Sequence, residues 1–281
     1  MNRKYQLIAL DMDGTVLNDE KQIDKETKEA IQDALAAGVE VVFCTGRSLA
    51  EMRDILVQFP KMNYLCGESG ALVVDLKNGK TIHRDEIDRQ TSELLMEASQ
   101  RKDVMVCTFS EGVCWIKREC MLRMNHYQME PYQKIYEKIC RTLEGDVLET
   151  LLEENRPIEK INLYHTGRQE RLETRKWLAR QQIKAEMVDS EISSLECSPL
   201  GVSKATGLKN LCAKLGIELE QVVMVGDADN DIEAMKVAGL AVAMGNANEH
   251  VKKICDLEVA DNNHQGCAQA IRHVVFGGEN D

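Results

Sequence analysis

The chain has 281 residues, of which 43% are hydrophobic and 29% are charged, and its formal net charge at pH 7 is −12. This length is enough for one large domain or two moderate ones. The acidic balance argues against nucleic-acid partners and against binding to anionic membranes. No apolar run approaches the roughly 18 residues of a membrane span, and the N-terminus lacks the pattern of a signal peptide.

The ten cysteines form no Cys-x-x-Cys pair, and most have apolar neighbours. In a chain of this size they are typical of reduced thiols that serve as small hydrophobic residues. We therefore expect a cytoplasmic protein without disulfides or a zinc site. The sequence sets no oligomeric state beyond a monomer or a homodimer.

The N-terminal part alternates between predicted strands and helices. Four apolar runs predict buried strands: Leu7–Leu10, Val39–Cys44, Tyr64–Cys66 and Ala71–Val74. A helix is expected from about Asp24, as its N-cap, to Ala37. A capping box from Ser48 to Glu51 predicts the start of the next helix.

The pattern changes between about Arg84 and Pro199. Short strands alternate there with amphipathic helices near residues 90–101 and 168–180, and Glu111-Gly112 predicts a hairpin turn. The strands expected in this part are Val104–Phe109, Val113–Lys117, Lys160–His165 and Leu195–Cys197. Residues 118–145 carry no clear pattern. We therefore expect an inserted α+β domain over residues 85–199.

Strands and helices alternate again from Gly201. A helix is predicted over Ser203–Leu215, and strands are predicted over Val222–Val225 and Leu240–Met244. Asp229 is the expected N-cap of the helix between these strands. Residues 1–84 and 200–281 are thus predicted to form one α/β core, a doubly wound, mostly parallel and Rossmann-like sheet.

Polar side chains follow several of the predicted strands and begin one helix. They are Asp11, Asp13, Thr45, Lys204, Asp227, Asn230 and Asp231. Residues two apart on an extended chain point the same way, so Asp11 and Asp13 should share a face. The carboxyl ends of parallel strands meet at one edge of a sheet, where open α/β folds bind ligands. One lysine cannot neutralise four carboxylates, and oxygen ligands favour Mg²⁺ over Zn²⁺. We expect a magnesium site that binds a phosphate group, whose oxygens accept hydrogen bonds from Thr45 and the amides of Met12 and Gly46.

This ordered set resembles the four motifs of the haloacid dehalogenase-like hydrolases. The matching segments are Asp11-Met12-Asp13-Gly14-Thr15-Val16-Leu17, Thr45-Gly46-Arg47, Gly201-Val202-Ser203-Lys204 and Gly226-Asp227-Ala228-Asp229-Asn230-Asp231. Val242–Ala247 and Asp261–Gly266 are similar to the tail of the Cof-type phosphatase branch. The resemblance implies that the insert is the large α/β cap of that branch, type IIB.

The resemblance also implies a two-step phosphoryl transfer through an aspartyl-phosphate. Asp11 is then the nucleophile, and Asp13 is the general acid and base whose pKa its neighbouring carboxylate tends to raise. The phosphoryl group is held by Met12, Thr45, Gly46, Lys204 and Asn230. Mg²⁺ is held by Asp11, the main-chain carbonyl of Asp13 and Asp227, and Asp231 orients Lys204 or a metal-bound water.

The expected substrates are small phosphorylated metabolites such as sugar phosphates or phosphorylated cofactors. Candidates for substrate selectivity are Arg47, Ser69, Arg123, His126 and Tyr127. A sugar phosphomutase on the same scaffold remains an alternative. A signalling module phosphorylated on aspartate is a second alternative, although receiver domains need only about half this length and carry no such insert.

Overall fold

The computed structural model describes residues 4–190 and 192–277. Its internal contacts divide the chain into two compact units. The first contains the N-terminal segment through Arg47, Asp54–His83 and the segment from Ser203 onward. The second contains Ser48–Arg53 and Arg84–Val202. Residues 85–199, the predicted insert, all belong to the second unit.

The strands and helices of the described residues alternate along much of the chain. The strands are β1 (Leu7–Leu10), β2 (Glu40–Cys44), β3 (Tyr64–Gly67), β4 (Leu72–Asp75), β5 (Lys80–Arg84), β6 (Val104–Ser110), β7 (Val113–Lys117), β8 (Cys140–Leu143), β9 (Lys160–His165), β10 (Ala185–Asp189), β11 (Ser194–Pro199), β12 (Val222–Gly226), β13 (Leu240–Ala243) and β14 (Leu257–Glu258). The α-helices are α1 (Lys25–Ala36), α2 (Leu49–Leu56), α3 (Arg89–Gln100), α4 (Arg118–Met121), α5 (Gln133–Ile139), α6 (Val147–Glu153), α7 (Arg168–Arg180), α8 (Lys204–Leu215), α9 (Ile232–Val237), α10 (Glu249–Lys252) and α11 (Gly266–Phe276). Among the described residues, none of these helices combines the length and apolarity that crossing a lipid bilayer requires.

The sheet of the first unit has eight strands in the order β14-β13-β12-β1-β2-β3-β4-β5. β1 pairs in parallel with β12 on one side and with β2 on the other. The strand order therefore reverses at β1, and such a switch point is where open α/β sheets bind their ligands. Only the outer part departs from the parallel pattern, since β4 pairs antiparallel with β3. The predicted doubly wound, mostly parallel core is confirmed.

The central strands are buried because helices cover both faces of this sheet. All four residues of β1 are inaccessible to solvent. Leu7 and Ala9 pack into one cluster with Leu208 and Leu211 of α8, and each buried leucine contributes about 1.5–3 kcal/mol. Asp24 caps α1 by accepting a hydrogen bond from the amide of Thr27 at 2.6 Å, as its sequence position predicts.

The second unit contains a six-stranded sheet in the order β10-β11-β9-β6-β7-β8. The predicted hairpin is present as the antiparallel pair β6 and β7, and Glu111 and Gly112 at its turn both have positive φ. The unpatterned residues 118–145 form α4, α5 and the short strand β8, which pairs in parallel with β7. The predicted α+β character of this part is confirmed.

Candidate active site

Three predicted site residues follow the central strands of the first unit. Asp11 comes directly after β1, Thr45 after β2 and Asp227 after β12. Backbone hydrogen bonds extend the ladder by one residue at Asp11, whose amide donates to Val225 at 3.0 Å, and at Thr45, whose amide donates to Cys66 at 2.9 Å. Because the strands are parallel and adjacent, these residues emerge at the same edge of the sheet.

Lys204, the first residue of α8, brings two carboxylates together. Its buried ammonium donates hydrogen bonds to Asp11 and to Asp231, the latter at 2.6 Å. Burial alone would lower the pKa of Lys204, but the negative charges of Asp11 and Asp231 raise it well above its usual range. Lys204 is therefore charged at neutral pH and links segments 193 positions apart along the chain.

Three carboxylates meet around this lysine. Oxygen atoms of Asp11, Asp227 and Asp231 all lie within 4.8 Å of one another. Burial raises the pKa of Asp11 to about 7 in spite of the charge of Lys204. Burial, followed by the charge of Asp231, raises the pKa of Asp227 to about 6. Two ionised carboxylates 4 Å apart repel each other by about 4 kcal/mol at an effective dielectric constant near 20. One ammonium leaves the cluster negative, so its donor set fits a divalent cation that prefers oxygen ligands.

A glycine and an asparagine support the carboxylate of Asp227. Gly14 has φ +85°, and a Cβ there would overlap that carboxylate, so only glycine fits. Asn246 donates from Nδ2 to the Gly14 carbonyl at 2.9 Å and to Asp227 at 3.3 Å. Thr15 donates its hydroxyl to Asp227 at 3.4 Å. Asn246 was not among the predicted residues, although its position after β13, at the same sheet edge, was a usable signal.

Asp231 organises the turn that precedes α9. Its Oδ2 accepts hydrogen bonds from the amides of Asp227 and Ala228, both at 3.0 Å, while Oδ1 faces Lys204. The prediction that Asp229 caps the following helix is wrong, because Asp229 begins a 3-10 turn and Asp231 is the N-cap of α9. Asn230 lies exposed within that turn.

Asp13 has different partners from Asp11. Its carboxylate is half exposed and accepts two hydrogen bonds from Arg47, both at 2.8 Å, and one from Lys21 at 3.1 Å. Burial tends to raise the pKa of Asp13, but Arg47 and Lys21 together lower it below its usual value. The net shift is opposite to the tendency expected from a neighbouring carboxylate, because two cations outweigh the effect of burial. Nothing in the sequence pattern singled out Lys21.

Thr45 and Gly46 lie in the loop after β2, beside the turn after β3 that contains Ser69. Thr45 is buried, and its hydroxyl accepts a hydrogen bond from the amide of Arg47 at 3.1 Å. Ser69 lies beside it, because its amide donates to the Thr45 carbonyl at 2.9 Å. A Cβ on Gly46 would lie 3.4 Å from the hydroxyl of Ser69. The side chain of Met12 is buried in the core.

The candidates in the second unit gather around one carboxylate, Asp103. His126 contacts it at 2.7 Å, and the hydroxyl of Tyr127 donates to it at 2.8 Å. The guanidinium of Arg123 lies 3.6 Å from the same group. Tyr127 is buried, whereas Arg123 and His126 are partly exposed. Two hydrogen bonds and one ion pair to Asp103 therefore hold these three residues together.

Comparison with known proteins identifies the family. The family model of haloacid dehalogenase-like hydrolases matches residues 8–271. The chain belongs to this family. This hydrolase is 30% identical over 274 residues to the 5-amino-6-(5-phospho-D-ribitylamino)uracil phosphatase YcsE of Bacillus subtilis, an alignment that covers 96% of each chain.

Solved structures of the family share the fold of this hydrolase. A haloacid dehalogenase-like hydrolase from Bacteroides thetaiotaomicron superposes with a TM-score of 0.85 at 25% identity, covering 96% of this chain and 100% of that one. A subclass IIB sugar phosphatase of the superfamily superposes with a TM-score of 0.75 at 22% identity, covering 97% and 99%. The family resemblance and the enzyme class predicted from the motifs are confirmed.

Proposed function

We propose that this hydrolase is a Mg²⁺-dependent phosphatase of small phosphorylated metabolites that works through an aspartyl-phosphate. The observation that carries the proposal is the buried contact of Lys204 with Asp11 and Asp231, beside Asp227. This contact supports binding of an anionic substrate beside Asp11, because the ammonium of Lys204 partly neutralises the negative charge of that carboxylate.

Asp11 is the proposed nucleophile. In the first step one of its oxygens forms a bond to phosphorus, the bond from phosphorus to the ester oxygen breaks, and the leaving alcohol takes a proton from Asp13. In the second step water attacks phosphorus, Asp13 takes the proton, and the bond to Asp11 breaks to release phosphate. Lys204 limits the repulsion between the carboxylate and the incoming phosphate, and Asp231 positions Lys204.

Asp13 changes protonation state during this cycle. Its pKa is lowered by Arg47 and Lys21, so the carboxylate is ionised without substrate and suited to the base step. A bound phosphate is anionic and competes for Arg47, which weakens the pairing with Asp13 and raises its pKa. Arg47 is therefore proposed as a residue that tunes the acid and base, rather than as a contact for the leaving group.

The phosphoryl oxygens are proposed to accept hydrogen bonds from the amides of Met12 and Gly46 and from Thr45, Lys204 and Asn230. Asp11, the main-chain carbonyl of Asp13 and Asp227 would hold Mg²⁺. When bound, the cation neutralises negative charge on the phosphoryl oxygens. The side chain of Thr45 is buried and its hydroxyl is oriented by a hydrogen bond from the amide of Arg47, which supports this role.

Substrate selection is assigned to the second unit. We propose that residues 85–199 form the cap, and that Arg123, His126 and Tyr127 of this unit, together with Ser69 of the first unit, influence which leaving group is accepted. The name of the relative from Bacillus subtilis supports a small phosphorylated substrate. All ten cysteines are free thiols, which supports a cytoplasmic location.

The test is phosphate release by the variant Asp11→Asn from a panel of sugar phosphates and other phosphorylated metabolites. We expect turnover to fall by at least about 10³-fold, because the nucleophile is lost. Asp33→Asn, an exposed change on α1, is the matched control and should retain full activity.

Circular dichroism of both variants checks that the fold is unchanged. Near-normal turnover by a folded Asp11→Asn variant refutes the nucleophile assignment. A phosphorylated isomer that accumulates without inorganic phosphate identifies a phosphomutase instead.

A further inference from the structure

Three cysteines from separate parts of the sequence meet inside the second unit. Cys107 lies on β6, Cys114 on β7 and Cys140 on β8. Their Sγ atoms all lie within 4.8 Å of one another, and those of Cys107 and Cys114 are 2.9 Å apart. We call these residues the thiol triad.

The strand register explains why the three side chains share a face. Cys114 stands directly opposite Cys140 in the parallel pair β7 and β8. It also stands opposite Phe109 in the antiparallel pair β6 and β7, and Cys107 precedes Phe109 by two residues. Because side chains two apart on a strand point to the same face, all three thiols lie on one face of three adjacent strands.

The distances suit a single metal ion. Three sulfur atoms bound at about 2.3 Å to one tetrahedral Zn²⁺ lie roughly 3.8 Å from one another. The separation of 2.9 Å between Cys107 and Cys114 is shorter than that value and the other two separations are at most 4.8 Å, so modest side-chain rotations can bring the three sulfurs to it. Cysteine sulfur also selects thiophilic cations such as Zn²⁺ over Mg²⁺.

The triad lies in apolar surroundings with one acidic group nearby. Cys107 and Cys114 are fully buried within a cluster that includes Phe109 and Met105, while Cys140 is partly accessible. The acidic group that acts electrostatically on both Cys107 and Cys140 is Glu51. A cation entering beside Cys140 would therefore find negative charge and little competition from water.

We propose that the thiol triad is a binding site for a thiophilic divalent cation of the Zn²⁺ type, distinct from the carboxylate cluster. Three metal–sulfur bonds form as three S–H bonds break, and the protons pass to solvent. No electron is transferred. The bound ion ties β6, β7 and β8 together, so its role is to stabilise the second unit.

The test uses the full chain, reduced and stripped of metal, with saturating Mg²⁺ present to fill oxygen-ligand sites. Cd²⁺ is the probe, because its bonds to thiolates give an ultraviolet charge-transfer absorption. We expect this absorption to rise to a plateau at one Cd²⁺ per chain. Cys140→Ser should weaken binding by at least about tenfold, since even the loss of a supporting partner of a ligand costs 10- to 100-fold.

Cys120→Ser is the matched control. Cys120 is also partly buried and packs against the same cluster, but lies outside the triad, so this variant should bind Cd²⁺ as the unmodified chain does. X-ray absorption on the Cd²⁺-loaded unmodified chain adds a measurement that depends on no variant, and we expect three sulfur neighbours. An absent absorption band, an equal loss in Cys120→Ser or fewer than three sulfur neighbours overturns the proposal.

Discussion

Asp11 and Asp13 are two positions apart, yet their environments push their pKa values in opposite directions. Burial raises the pKa of Asp11 to about 7, while Arg47 and Lys21 hold that of Asp13 below its usual value against the effect of burial. Two carboxylates whose pKa values differ in this way can take different chemical roles, as acid–base pairs in enzymes do. The difference comes from neighbours distant in sequence, not from the motif itself.

Replacing Arg47 should therefore shift the pH dependence of activity. In Arg47→Met the cation that lowers the pKa of Asp13 is lost, so this pKa rises. Because kcat/KM reports the first step, in which Asp13 is the proposed acid and must be protonated, the alkaline limb of the plot of kcat/KM against pH should move to higher pH. The measurement is that profile for the unmodified and variant chains.

Arg53→Met, a change at an exposed position six residues further on, serves as the control and should leave the limb in place. An unchanged alkaline limb in Arg47→Met would show that Asp13 does not set it.

At the scale of elements, the turn between β3 and β4 sets the position of Lys204. Glu68, Ser69 and Gly70 all have positive φ in this turn. Gly70 has φ +98° and lies so close to the backbone of Ser203 that a Cβ there would overlap the carbonyl oxygen of Ser203. The start of α8, and with it the ammonium of Lys204, is located by this close approach of two backbones.

A side chain at Gly70 should disturb both stability and activity. We expect Gly70→Ala to lower the free energy of unfolding by about 2 kcal/mol or more, from overlap and from a strained φ together. Turnover should fall as well, because α8 has to shift and carries Lys204 with it. Urea unfolding and phosphate release measure the two effects.

Gly79→Ala provides the comparison. Gly79 also has positive φ, +68°, but nothing lies within 4 Å of a Cβ there, so the cost should be only about 1 kcal/mol with activity retained. Equal effects of the two substitutions would contradict the role given to Gly70.

The elements that place the site were predictable because their signals are local. Buried apolar strands followed by polar residues identified Asp11, Thr45 and Asp227, and the helix start identified Lys204. The strand β8 was not predicted, because it has only four residues, two of them polar, and is stabilised by parallel pairing with β7 across the helices α4 and α5. For the same reason the thiol triad has no Cys-x-x-Cys signature. Contacts that depend on how strands pair in a sheet cannot be predicted from the spacing of residues along the sequence alone.

At the scale of the whole molecule, the acidic cluster couples stability to pH and, on the proposed function, to metal. The pKa values of Asp11 and Asp227 rise from 3.8 to about 7 and about 6 in the folded chain. The folded state then binds more protons than the unfolded state between about pH 4 and pH 7, so stability without metal falls as pH rises through that range. A cation that binds the ionised carboxylates of the folded chain counteracts this loss of stability.

Saturating Mg²⁺ should therefore raise Tm more at about pH 8 than at about pH 5, where protons compete for the same oxygens. Thermal unfolding with Mg²⁺ and with a chelator, at both pH values, gives the comparison. Asp227→Asn should reduce the difference between the two pH values, since one ionisable ligand is gone. A Mg²⁺ effect independent of pH would count against the cluster as the metal site.

The 193 positions that separate Asp11 from Lys204 also affect how the molecule is made. During synthesis the first strand leaves the ribosome long before β12 and α8, its later neighbours on one side. Until they arrive, one edge of β1 has no partner and Asp11 has no cation beside it. On the proposed mechanism, the growing chain is inactive and exposed to aggregation until its last third is translated, and a premature stop within the second unit leaves no catalytic fragment.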